Sequence, residues 1–270
     1  FDSVWHYKTE GPLVKVVRES GVPREQIFCT LKSFDSDHGY GSTLEAVQDY
    51  YLDLFLIHSP HLGKTRHLQM YKVLLRAKKE GKLKSAGVKL VLLKHFEEVR
   101  DAGLKLLAVN QIELHPFCQQ KSIVDYCRAN GIAVRTFSLL VRGKLDNPAI
   151  TSVSSNLFSF TTIKTPAQIA TRWNFRAQTD SATVYCRFVP LLRCVVANAE
   201  VFDYEITEEN MKNLDALDKG MADAIACNPV DAAEDIGGVP TNYMELWAWR
   251  TQGTRLYGRS SRAYSCIQEY

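Results

Sequence analysis

Leu52-Asp53-Leu54-Phe55-Leu56-Ile57-His58-Ser59-Pro60 is a short apolar run that ends on a histidine and is stopped by a proline. It reads as a strand over residues 52–57, with His58 just past its C-terminal end. Similar strand-like runs lie at residues 1–4, 27–31, 85–88, 108–114, 132–138 and 188–191. Between them the apolar spacing turns helical. Pro12 sits just inside a helix start ahead of Leu13, Val16 and Val17. An amphipathic stretch over 67–82 has a basic outer face, with Gly81 as its stop. Thr165-Pro166 opens a helix running to about residue 175, and Thr207-Glu208-Glu209 opens another with Met211, Leu214 and Leu217 on its inner side. Strands alternating with helices predict parallel βα units, and 270 residues are enough for one (β/α)8 TIM barrel, which takes about 250. Seven strands can be counted where a closed barrel needs eight.

Four residues in the first quarter fall at such strand ends: Asp2, Tyr7, Lys32 and His58. Each has an ordinary structural reading, as a turn residue, a half-buried aromatic, a solvated terminus and a core histidine. Together they match a reaction. A carbonyl accepting hydride gathers negative charge on oxygen and needs a proton there. A tyrosine hydroxyl titrates too high to give its proton easily, and a neighbouring ammonium lowers it. Lys32 could be that ammonium, Asp2 its counter-charge, and His58 a neutral partner orienting the oxygen. A parallel barrel builds its active site from C-terminal strand ends.

Composition excludes other classes. Hydrophobic residues make up 46% and the net charge is +3, far from the basic stripe of a nucleic-acid binder. No run of eighteen apolar residues suggests a membrane span. Seven cysteines are scattered without metal-ligand spacing, and no Asn-x-Ser/Thr acceptor occurs, so a reducing, cytoplasmic setting is expected. The chain begins at Phe1 rather than at a methionine, and a segment upstream is expected. The Gly-x-Gly-x-x-Gly fingerprint of a Rossmann site is absent.

Four stretches carry a resemblance: Phe1-Asp2-Ser3-Val4-Trp5-His6-Tyr7, Ile27-Phe28-Cys29-Thr30-Leu31-Lys32, Leu54 to Pro60, and Asn110-Gln111-Ile112-Glu113-Leu114-His115-Pro116. The chain resembles the aldo-keto reductases, in particular the small soluble ones of fungi and other microbes. The resemblance implies NADP(H) as cofactor. It makes Tyr7 the general acid, with Lys32, Asp2 and His58 around it, and gives Gln111 the nicotinamide carboxamide. Phe137 would stack on the nicotinamide ring and Ser138 would offer its hydroxyl to the pyrophosphate. Arg193 would meet a 2′-phosphate, and Asn198 the adenine. Trp5, His6 and Phe34 flank the catalytic strand ends and would wall the substrate pocket. That wall suits a bulky apolar carbonyl such as a secondary-metabolite intermediate. His115 reads as a hydrogen-bonded rim histidine.

The sequence also departs from the family's pattern. The barrel is expected to be incomplete, without its first strand and helix and eroded around the third helix and the last two strands. Residues 41–52 leave too little room for a helix and loop. Residues 151–163 are Ser/Thr-rich and β-prone where a helix belongs, and residues 194–198 are compressed. Gly87-Val88-Lys89-Leu90 replaces the Gly-Val-Ser-Asn of the family, so two carboxamide partners become an ammonium and an apolar side chain. The expected organisation is a barrel over 1–236 and a loose tail over 237–270. The expected function is reduction of an aldehyde or ketone by a monomer or weak oligomer with a small-molecule substrate, no nucleic acid, no membrane and no metal. The alternative is an inactive or truncated homologue that acts as a binding protein or has no activity.

Overall fold

The computed structural model describes residues 10–33, 52–58, 63–89, 91–156, 164–177, 183–184 and 192–225. Within them, six strands form one sheet in which strand order is chain order. The elements run α1 (Glu10–Glu19), β1 (Thr30–Ser33), β2 (Leu52–Ile57), α2 (Gly63–Lys79), β3 (Leu83–Lys89), α3 (Leu93–Asp101), β4 (Val109–Glu113), α4 (Lys121–Ala129), β5 (Ala133–Phe137), α5 (Pro148–Asn156), α6 (Pro166–Ala177), β6 (Thr183–Val184), α7 (Leu192–Ala199) and α8 (Glu208–Asp215). Registers are parallel from β1 to β2, β2 to β3, β3 to β4 and β5 to β6. Parallel neighbours need a crossover between them, and from β2 to β5 that crossover is one helix each time. Among the described residues no helix is long and apolar enough to cross a membrane.

The chain divides into two units, residues 1–111 with 126–133 and 229–248, and residues 112–125 with 134–228 and 249–270. In the first, every residue of β2 is buried, as the unbroken apolar run predicts for a strand covered on both faces. Met70, Tyr71 and Leu74 of α2 and Phe96 of α3 are buried as well, and the Phe96 ring stacks on Tyr126 at 5.1 Å between centroids. In the second unit the core is built around Trp173 of α6, whose indole N–H donates to Asp215 at 2.8 Å. The Asn174 amide donates to the Leu114 carbonyl at 3.0 Å, tying α6 to the segment after β4. Lys164 is buried, with its ammonium on the Asp203 carboxylate at 2.6 Å.

Several boundaries differ from the sequence expectation. The first described strand starts at Thr30 rather than residue 27. A 3-10 turn over Arg24–Gln26 precedes it, and Arg24 donates to the Ile27 carbonyl at 2.6 Å, which leaves Phe28 exposed before the sheet is joined. Helix α2 begins at Gly63, four residues before the apolar periodicity does, because its first turn is polar and exposed. Gly81 does end the run, with φ +75° and the Lys82 N–H closing back on the Ala77 carbonyl. Residues 151–156, read as β-prone, are helical in α5. Their hydroxyls are absorbed by backbone carbonyls: Thr151 donates to Asn147, Ser152 to Ala149 and Ser155 to Thr151. Ser154 donates to the Lys164 carbonyl. Back-bonding of this kind is how Ser and Thr hydroxyls are satisfied inside a helix. The compressed stretch at 194–198 lies within the helix α7. Thr207 caps α8 by accepting the Asn210 N–H, as its position predicts. Strand β6 was not anticipated. The strands expected at 1–4 and 188–191, the short segment at 41–51 and the tail from 237 lie outside the described residues.

Candidate active site

The site residues of the first unit come from consecutive strands. Lys32 lies on β1, His58 directly follows β2, Lys89 ends β3 and Gln111 lies on β4. The registers pair Lys32 with Leu56, Ile57 with Val88 and Lys89 with Gln111. One step beyond Ile57 and Val88, His58 and Lys89 are therefore neighbours in the same row as Gln111. Lys32 stands two rows earlier, and a period of two puts it on the same face. Gly87 also faces that way, and the Leu56 side chain lies against it. The shared face at the C-terminal strand ends is the property that brings these residues together.

All four are buried, with 4% of Lys32, 3% of His58, 8% of Lys89 and 1% of Gln111 exposed. Two cationic side chains in so dry a place are costly unless hydrogen-bonded or paired. Lys89 Nζ stands 3.3 Å from His58 Nε2, which makes a direct hydrogen bond between the residue assigned to the carbonyl and one the sequence reading had counted as a loss. Gln111 presents the opposite case. Neither its amide oxygen nor its amide nitrogen has a partner among the described residues. A buried primary amide left unsatisfied costs about 1–3 kcal/mol per group, and native structures keep such groups for a ligand or water. A carboxamide offers the complementary donor and acceptor, so this chain's Gln111 fits that group of a nicotinamide.

In the second unit, Phe137 ends β5 and is buried, and its carbonyl accepts the Leu114 N–H at 3.4 Å. Ser138 follows it, half-buried and with φ +57°, and its carbonyl accepts the Val141 N–H. A non-glycine residue held at positive φ is uncommon and marks a constrained turn. His115 is fully buried with Nε2 3.1 Å from the Glu113 carboxylate, in line with a hydrogen-bonded histidine. Glu113 Oε1 also accepts the Ile225 N–H at 2.7 Å. Arg193 sits in the first turn of α7 and Asn198 in its last, half-buried. Asp2, Trp5, His6, Tyr7 and Phe34 lie outside the described residues.

Lysine, histidine and glutamine thus share one face toward the C-terminal side of a parallel sheet whose strands run in chain order. The chain belongs to the aldo/keto reductase family, whose model matches residues 14–219. It is 35% identical over 227 residues to the glyoxal reductase of Bacillus subtilis, an alignment covering 81% of this chain and 78% of that protein. Among solved structures it is similar to MGS-M4, an aldo-keto reductase from a deep-sea metagenome library, with a TM-score of 0.72, 28% identity and 81% of each chain covered. It is also similar to a mutant of Gox0644 in complex with NADPH, with a TM-score of 0.74, 26% identity and 87% and 84% of the two chains covered. These likenesses define the fold class as the TIM barrel.

Proposed function

We propose that the chain reduces an aldehyde or ketone to an alcohol with NADPH. The observation that carries this reading is Gln111, whose buried amide lacks partners in the row that also holds His58 and Lys89. NADPH, when bound, supplies a hydride to the carbonyl carbon. Gln111 would hold the carboxamide, Phe137 would pack against the nicotinamide, and Ser138 and Arg193 would meet the phosphates. Asn198 would contact the adenine. Tyr7 gives the oxygen its proton, with Lys32 lowering the hydroxyl's affinity for that proton and Asp2 balancing the ammonium. The NADPH complex of Gox0644 and the activity named for the Bacillus relative support a nicotinamide-dependent reductase.

Trp5, His6 and Phe34 would give the pocket an aromatic wall, favouring a bulky apolar carbonyl of the kind met in secondary metabolism. The barrel is proposed to span 1–236, with 237–270 as a dispensable tail, and the protein to act as a monomer or weak oligomer. Cys29, Cys118 and Cys127 are free and buried, which supports a reducing, cytoplasmic setting.

The test is titration of the purified chain with NADPH and with NADH, followed by tryptophan fluorescence, and then addition of an aromatic aldehyde. Quenching by NADPH with turnover of the aldehyde supports the reading. A chain that binds neither nucleotide would be the degenerate barrel instead.

A further inference from the structure

The contact between His58 and Lys89 decides what the imidazole can offer. Lys89 Nζ is 3.3 Å from His58 Nε2, and both side chains are buried. An ammonium carries three donors and no acceptor. With Lys89 as the ammonium, the hydrogen bond runs from Lys89 to Nε2, and the ring proton of a neutral His58 is then on Nδ1. A nitrogen in that state has no proton for a carbonyl oxygen. Nζ of Lys89 stands at hydrogen-bonding distance from that nitrogen.

We propose that Lys89 is a catalytic residue, whose ammonium donates the hydrogen bond to the substrate's carbonyl oxygen, and that His58 is the positioning residue that anchors it. The proposal rests on the reductase reading above and changes which side chain polarises the carbonyl. Three observations favour it. The Lys89 head is held at Nε2 of the histidine that the sequence assigned to this task. Lys89 is the register partner of Gln111, so it stands one strand from the amide assigned to the nicotinamide. Finally, a full charge in a site this dry stabilises an oxyanion more strongly than a neutral imidazole does. No proton leaves Lys89. The π electrons of the C=O bond go to oxygen, and that oxygen takes its proton from the Tyr7 hydroxyl. The ammonium at position 89, read from sequence as erosion, is then a substitution of one donor for another.

The experiment has two readouts. The first is the pair of imidazole 15N shifts of His58 in labelled wild-type protein at neutral pH, assigned by their loss in His58→Gln. A protonated Nδ1 and an unprotonated Nε2 are expected, with the balance altered in Lys89→Met. The second is turnover of an aryl aldehyde at saturating NADPH. Lys89→Met, which keeps the length of the side chain and removes the donor, should lower kcat by about 10²-fold, the usual effect of removing an oxyanion donor. Lys89→Arg, which keeps a charged donor, should recover part of that loss. A protonated Nε2 in the wild type, or a Lys89→Met variant with unchanged kcat, overturns the proposal while leaving the reductase reading in place. A wild type that reduces no carbonyl with NADPH overturns both.

Discussion

Gly87 lies against Val109 on the neighbouring strand so closely that a β-carbon at position 87 would stand 2.7 Å from the Val109 carbonyl oxygen. It would also stand 2.5 Å from the Leu56 Cδ2 methyl. The glycine is required here by space, since its backbone is that of an ordinary strand. Gly87→Ala should therefore force β3 away from its neighbours and cost about 1–3 kcal/mol of stability, the usual range for overpacking. Urea denaturation of the two proteins reads this directly. An unchanged midpoint would show that the sheet has slack at this row.

Asp53 anchors the opposite, N-terminal end of β2. Its carboxylate is buried and accepts from Lys84 at 2.7 Å, from Arg24 at 2.8 Å and from the Cys29 N–H at 2.9 Å. Burial pushes the carboxyl up, but these hydrogen bonds outweigh it and hold Asp53 below its ordinary value. A depressed folded-state pKa contributes stability above the unfolded value, and that contribution is lost as pH falls through the folded one. Asp53→Asn should thus lower stability by about 2–4 kcal/mol near neutrality. The deficit should shrink as the medium is acidified to about pH 3 and below. Denaturation across that range checks it, and a deficit independent of pH would contradict the ionic role.

Arg193 opens α7, the helix where the sequence resemblance places the 2′-phosphate contact. Charge-assisted hydrogen bonds to phosphate are worth about 1.5–3 kcal/mol, so NADPH should bind at least about tenfold more tightly than NADH. Arg193→Ala should close most of that gap. Equal affinities in the wild type, measured side by side at one salt concentration, would remove the argument for Arg193.

How much of this was readable from the sequence depends on the kind of signal. Strand β2 was legible as a short apolar run and β4 and β5 as strand-like runs between helices, while a motif fixes His58 just past β2 and Gln111 within β4. The start of β1 was misread because Ile27 and Phe28 look like strand, while the turn at Arg24–Gln26 holds Ile27 outside it and leaves Phe28 exposed. The helix α5 was misread because its Ser and Thr are poor helix formers in isolation, whereas burial of Ile150 and Val153 in the fold overrides that propensity and the hydroxyls bond to carbonyls one turn back. Lys89 was visible as a departure, but its meaning was not. The register between β2 and β3 supplies the missing fact, that residue 89 sits beside residue 58.

The central claim is that this chain reduces carbonyls with a tyrosine as the acid, and the most direct measurement is the rate of NADPH oxidation with an aromatic aldehyde in wild type and Tyr7→Phe. General-acid catalysis contributes about 10²–10⁴-fold, so the variant should lose turnover by that factor while its affinity for NADPH, proposed to rest on Gln111, Phe137, Ser138 and Arg193, stays nearly unchanged. A Tyr7→Phe protein that reduces the aldehyde at the wild-type rate would contradict the account.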